Sequence, residues 1–245
     1  GHSRNEPRLM NHLLKKTHFG QLLLFSIFAI ILGGGTVSCS PKPSTPSIER
    51  YRVNPISFLT DDVEISGYTE ARAGYLFRFP EDHGTHNGFK TEWWYFTGNL
   101  YDEESNHYGF QLTIFRNALR KGFKQSESVW GINNVYMAHF TVTHTEATQF
   151  LQFEKFSRDS LGLAGGAPNR LDVWVEDWSA QGAGTAKDPI QLTAASADAA
   201  LAINLIASKP IVLQGNEGFS LKSTDGRSAS YYYSISRLQA QGEIT

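Results

Sequence analysis

Hydrophobic and polar residues alternate along most of this chain from about residue 75 onward. A period of two is the mark of strands that bury one face. Tyr108, Phe110, Leu112 and Ile114 alternate with Gly109, Gln111 and Thr113. Tyr136, Ala138, Phe140 and Val142 make one face of a further strand, and Met137, His139, Thr141 and Thr143 make the other. Residues 148–156 alternate again, and residues 171–175, 190–193, 201–206 and 231–235 complete the set. Residues 93–100 form an aromatic run with apolar side chains on both faces. The short polar link 102–106 joins that run to the next strand, which predicts a hairpin. Clusters rich in Gly, Pro or polar residues at 163–169, 181–184 and 214–216 separate the later segments. No stretch holds a long 3.6-residue period; residues 194–200 come nearest and are short. The pattern predicts an all-β fold of antiparallel strands, a barrel or a sandwich. Closure into a barrel would also remove exposed edges.

The first part of the chain follows a different pattern. Lys15 and Lys16 follow Met10, then come an apolar run from Leu22 to Leu32 and Gly33, Gly34 and Gly35. A basic start, a short apolar core and small residues predict a secretory signal. A spanning helix needs roughly 20 apolar residues, more than this run supplies. The run ends in Thr36-Val37-Ser38-Cys39, which resembles a bacterial lipobox with Thr36 where Leu is usual. Residues 1–38 are therefore read as an upstream extension and signal peptide, with Cys39 as the site of lipidation. Residues 39–70, rich in Pro and Ser at their start, are read as an extended tether. The expected location is the periplasmic face, lipid-anchored to a membrane, with Ser40 compatible with the outer one. Residues 71–245 are left for the folded domain.

Composition narrows the function classes. Of 245 residues, 40% are hydrophobic and 19% charged, which excludes a disordered chain. The net charge is −2, and Arg4, Arg8, Lys15 and Lys16 outweigh Glu6 in the leader, so the remainder is more acidic still. No partner that needs phosphate neutralisation, such as nucleic acid, is expected. Cys39 is the single cysteine, so neither an internal disulfide nor a cysteine metal site is expected. G-x-S-x-G, P-loop, H-E-x-x-H and dinucleotide-binding motifs are all missing from the sequence, and no cofactor is expected.

Candidate chemistry sits in four places. Asp82, His83 and His86 form the densest polar cluster, in a loop after Pro80. They could ligate a metal with Glu92 or His139 as a third ligand. The favoured alternative is that they hydrogen-bond to backbone and fix the loop over a barrel mouth. Glu92 beside two tryptophans could have a raised pKa and act as an acid. The favoured alternative pairs it with Arg116 or Arg78 across strands. His139 is a proton donor or ligand contact if its face is the lumen, and a surface histidine if not. Trp93, Trp94, Tyr95, Arg116, Tyr136 and Tyr232 are candidates for lining a ligand; ordinary core packing is the competing account. A barrel of about eight strands can hold one small ligand, and aromatic lining suits an apolar one.

The stretch Phe79-Pro80-Glu81-Asp82-His83-Gly84-Thr85-His86, followed by Thr91-Glu92-Trp93-Trp94-Tyr95-Phe96-Thr97-Gly98-Asn99-Leu100, resembles the signature of the carotenoid 1,2-hydratase-like lipocalins, also called the AttH-like family. Tyr231-Tyr232-Tyr233-Ser234 with Arg237-Leu238 is similar to the family's later Tyr-Tyr and Arg-Leu segment. The resemblance implies two tandem lipocalin-like antiparallel β-barrels. The chain would then hold the first and the start of a truncated second. A Trp/Asp/His-type motif of hydratase-like members would fall beyond Thr245. The resemblance implies a hydrophobic small molecule or lipid as ligand and, for lipoprotein members, an ABC transporter as a partner. The expected function is a membrane-tethered lipocalin-like protein that binds or handles an apolar, lipid or isoprenoid-like ligand. The alternative is a hydratase- or hydrolase-like enzyme acting on an alkene or polyene, with Glu92 and His139 as its catalytic groups.

Overall fold

The computed structural model describes residues 67–119, 130–223 and 228–245. The leader, Cys39 and all but the last residues of the tether lie outside the described residues. The alternating segments become strands β1 (Thr91–Tyr101), β2 (His107–Ala118), β3 (Asn134–His144) and β4 (Gln149–Arg158). Next come β5 (Ala164–Gly166), β6 (Asp172–Val175), β7 (Trp178–Gln181), β8 (Ile190–Ala195) and β9 (Ala200–Ala207). The last strands are β10 (Val212–Leu213), β11 (Phe219–Leu221), β12 (Ala229–Tyr231), β13 (Tyr233–Ser234) and β14 (Leu238–Ile244). A single 3-10 turn at Glu81–His83 is the one helical element among the described residues.

The all-β, antiparallel class is as expected. β1 to β4 form a meander, and the larger sheet runs β14-β9-β8-β7-β6-β5. Two small pairs, β10 with β13 and β11 with β12, stand beside them. Successive side chains of a strand point to opposite faces, so register decides which residues meet. In β1 and β2 the even-numbered residues face inward: Trp94 stands opposite Ile114, Phe96 opposite Leu112 and Gly98 opposite Phe110. β3 continues the rows with Ala138, Phe140 and Val142.

Those inward faces meet the second sheet in one apolar core. Leu112, Ile114 and Phe140 from the meander are fully buried, as are Val173, Val175, Trp178, Ile190, Leu192 and Leu201 from the larger sheet. The Phe140 and Trp178 rings meet edge-on at 5.7 Å, one from each sheet. Each such side chain contributes about 1.5–3 kcal/mol relative to exposure. The core is thus filled by side chains.

Several segments differ from the sequence expectation, among them β7, β10, β11 and β14, which no expected strand covers. Residues 164–166, read as a turn cluster, pair with β6. Residues 194–200, nearest to a helical period, are the end of β8, a turn, and the start of β9. The strand expected over 231–235 is broken at Tyr232, whose N–H and C=O bond to Gly218 and Gln214 outside the ladders. Tyr231 and Tyr233 both meet the Phe77 ring, while Tyr232 between them is exposed.

Candidate functional site

At one end of the meander the inward face turns from apolar to polar. Glu92, Arg116 and Tyr136 stand in one cross-strand row. Arg116 has no exposed surface. Its Nε donates to Oε2 of Glu92 at 2.7 Å and its Nη1 to Oδ1 of Asn134 at 2.7 Å. Its Nη2 donates to the carbonyls of His86 (3.1 Å) and Phe89 (2.8 Å). A buried guanidinium is tolerated only when paired and hydrogen-bonded, and this one is.

The loop before β1 completes the network. The His86 N–H donates to Oε1 of Glu92 at 2.7 Å, and the ring Nδ1 lies 2.9 Å from the same oxygen. The other ring nitrogen, Nε2, lies 3.2 Å from Oδ1 of Asp82. Asp82 also accepts from the Tyr75 hydroxyl (2.9 Å) and the Arg78 N–H (2.6 Å). A continuous chain runs Asp82–His86–Glu92–Arg116–Asn134. The loop is pinned from below, because the Trp94 Nε1 donates to the His83 carbonyl at 2.9 Å. It is also docked on the second sheet's turn. The Thr85 N–H donates to the Ala167 carbonyl, and a Cβ on Gly84 would fall 2.6 Å from the Asn169 nitrogen. Only glycine allows that approach.

The two histidines of the loop are driven in opposite directions. His86 has a raised pKa: hydrogen bonding to Glu92 is the largest cause, burial opposes it, and Asp82 adds to it. His83 is lowered, chiefly by burial, with Asp82 opposing; its Nδ1 lies 2.7 Å from the Tyr233 hydroxyl. For Asp82, burial pushes upward, but the hydrogen bonds from Arg78, His86 and Tyr75 outweigh it and hold the carboxyl below its usual range. Burial and Asp82 push Tyr75 up to about 12. Tyr136 and Tyr233 are also raised, mainly by burial.

These directions set a stability profile. A folded-state pKa above 6.5 makes the His86 contribution complete below pH 6.5 and lost as pH rises through the raised value. A folded-state pKa below 6.5 makes His83 cost stability as pH falls under 6.5, where the unfolded chain takes the proton first. Urea midpoints followed from about pH 5 to pH 8 should therefore peak near the middle of that range. His86→Gln should flatten the alkaline limb and His83→Gln the acid limb. Limbs unchanged in these variants would contradict the assignment.

An aromatic cluster lies over this network. Tyr75 stacks on Tyr231 at 4.3 Å, Phe77 on Phe79 at 5.8 Å, and Tyr233 meets Phe79 edge-on at 4.8 Å. Phe89 meets Tyr231 at 5.7 Å. All six rings are half-buried rather than sealed, and Leu76 beside them is 81% exposed.

The candidate residues do not converge on one place. Glu92, Trp94, Arg116 and Tyr136 face inward, with Glu92 in the expected pair with Arg116. Trp93 and Tyr95 project from the opposite face and are 38% and 54% exposed. His139 is on that outer face too, with Nε2 2.9 Å from Oε2 of Glu154. A sheet therefore separates Glu92 from His139, and the two do not meet on one molecule. Tyr232 is exposed elsewhere, with the Lys222 Nζ 5.0 Å over its ring. Asp82 does bond backbone, whereas the ring of His86 spends both nitrogens on carboxylates and His83 pairs with Tyr233. Among the described residues no group of three His, Cys, Asp or Glu is arranged to hold a metal ion. Sequence reasoning passed over Phe77, Phe79, Phe89 and Asn134. The period-two spacing of Tyr75, Phe77 and Phe79 was the available signal.

A model of the AttH-like family matches residues 70–245. Among solved structures, an AttH candidate from Nitrosomonas europaea superimposes with a TM-score of 0.62 at 30% identity. The match covers 72% of this chain and 52% of that one, so this chain spans about half the length of that relative. No curated protein matches the chain.

Proposed function

This chain belongs to the AttH-like family, and from that premise we propose that it is a ligand-handling protein that takes an apolar, lipid or isoprenoid-like molecule at its aromatic cluster. The carrying observation is six half-buried rings (Tyr75, Phe77, Phe79, Phe89, Tyr231 and Tyr233) gathered over one polar network. Half-buried rings leave apolar surface for a ligand, while a few fixed polar groups set its orientation. The Asp82–His86–Glu92–Arg116 chain then acts as a frame, since its members are already hydrogen-bonded to one another. The proposal includes export by the leader, tethering through Cys39 to the periplasmic face of the outer membrane, and a transporter as partner.

A second reading, addition of water to an alkene, is favoured by one feature. The pKa of His86 is raised, chiefly by its hydrogen bond to Glu92, on a ring that meets Phe89 at 6.2 Å. In that reading the ring proton that His86 shares with Asp82 passes to one alkene carbon as the π bond breaks, water adds to the other carbon, and the proton that water releases returns to the His86–Asp82 pair. Glu92 is the acceptor partner of His86, since both Glu92 oxygens receive donors.

Lipid extracted from the purified full-length protein and identified by mass spectrometry should include an apolar species. cis-Parinaric acid, added as a fluorescent polyene probe, should bind. Phe79→Ala with Tyr231→Ala should weaken that binding by about tenfold or more. Recovering no lipid and seeing no probe fluorescence in the wild-type protein would refute the proposal.

A further inference from the structure

The outer face of the meander carries a hollow that the core-side site does not use. Its volume is about 350 Å³, and its lining includes Thr97, Asn99, Gly109, Gln111, Thr141 and Thr143. It is a shallow depression open to solvent rather than an enclosed cleft. The register explains its shape. Thr97, Gln111, Thr141 and Gln152 form one row across the four strands, and Asn99, Gly109, Thr143 and Phe150 form the next. Gly109 is the gap in that row.

Packing does not require a glycine there. A Cβ at Gly109 would sit 3.6 Å from the Thr143 Cβ and 3.8 Å from its Oγ1, an ordinary contact. Its φ is not positive either. Glycine inside a strand weakens it and often marks a place where a ligand approaches closely.

The lining chemistry selects a ligand class. None of the lining side chains is charged. The Tyr95 hydroxyl donates to Oε1 of Gln111 at 3.2 Å, which leaves the Gln111 amide N–H groups to donate elsewhere. Asn99 faces His107 through Oδ1 at 2.9 Å, which leaves its amide N–H groups in the same position. Thr141 and Thr143 add hydroxyls that can both donate and accept. Next to the hollow, Thr113 buries a hydroxyl that has no hydrogen-bond partner among the described residues, directly opposite Tyr95. Exposed rings flank the hollow, with Tyr95 on β1 (54% exposed) and Phe150 on β4 (62% exposed). Phe150 is two strands from Gly109, about 10 Å at the usual strand spacing.

We propose that this outer hollow binds a neutral carbohydrate. A pyranose ring has apolar C–H faces and a rim of hydroxyls. One face of a ring stacks on Tyr95, which is hydrogen-bonded to Gln111 of the lining, and the rim bonds the amides and hydroxyls of Gln111, Asn99, Thr141 and Thr143. The uncharged lining offers no counter-charge to an anion, and its amides and hydroxyls would go unpaired against an acyl chain. The site is on the opposite side of the sheet from the aromatic cluster and is independent of the function proposed there.

The test uses the full chain titrated with maltotriose and with N,N′-diacetylchitobiose, followed by saturation-transfer NMR. At least one sugar should give transfer. Gly109→Val fills the hollow with a residue that strands favour. It should weaken binding by about tenfold or more with the melting temperature unchanged or raised. Tyr95→Ala should weaken binding as well, and Tyr233→Phe, on the other face, should leave it unchanged. Absence of transfer for both sugars overturns the proposal, as does full affinity in folded Gly109→Val.

Discussion

Replacing Arg116 with methionine should cost about 3–5 kcal/mol of folding stability and lower the melting temperature by roughly 10 °C for a domain of this size. The guanidinium is fully buried and satisfies four acceptors: Glu92, Asn134 and the carbonyls of His86 and Phe89. Methionine fills much of the same volume, so the loss isolates the polar contribution. It leaves the Glu92 carboxylate facing His86 alone and two loop carbonyls without this donor. Arg116→Lys should recover little, because an ammonium cannot reproduce the planar fork that serves carboxylate, amide and carbonyls together. Arg116→Met combined with Glu92→Gln should be less harmful than the sum of the single changes, since the second removes the charge that the first strands. Urea denaturation of the four proteins measures this directly. A cost under about 1 kcal/mol for Arg116→Met would mean that the network is ornamental to the fold.

That network shows where the sequence could be read and where it could not. Strands β2 to β4 follow from alternation and β1 from its aromatic run, whereas the sequence offered Glu92 either Arg116 or Arg78 as a partner and the register of β1 and β2 selects Arg116. Alternation cannot say which face is inward when both carry apolar residues. Trp93, Trp94 and Tyr95 are indistinguishable in the sequence, yet Trp94 is buried and its neighbours are exposed. The face is chosen by what the second sheet covers, a long-range fact. His139 was ambiguous for the same reason. The roles of His83 and His86 were hidden more deeply, because their partners Tyr233 and Glu92 come from distant or turned segments. Short strands such as β5 and β7 were missed because three or four residues hold too little pattern, and a pairing partner specifies them instead. Family resemblance supplied the expectation of a lipocalin-like domain that periodicity alone left as barrel or sandwich.

Trp178 is the second position where a single change should be severe. It belongs to β7 in the larger sheet but reaches across the core to meet Phe140 of β3. It is 1% exposed, its Nε1 donates to the Ala195 carbonyl at 2.7 Å, and the Lys155 Nζ lies 4.9 Å from its ring centre. Trp178→Ala removes the largest fully buried side chain among the described residues and opens a cavity between the sheets, at an expected cost of about 3–5 kcal/mol. Trp178→Phe separates the two contributions. It keeps most of the apolar volume and the meeting with Phe140, and loses the N–H donor, which should cost about 1–2 kcal/mol. If packing between the sheets governs stability, the alanine variant is far weaker than the phenylalanine variant in urea. Equal losses in the two would assign the effect to the Ala195 hydrogen bond instead. Because both sheets share this core, circular dichroism and tryptophan fluorescence should report one coincident transition in wild-type protein and in Trp178→Phe. Separate transitions would mean that the meander and the larger sheet unfold as independent units, and that the Phe140–Trp178 contact does not couple them.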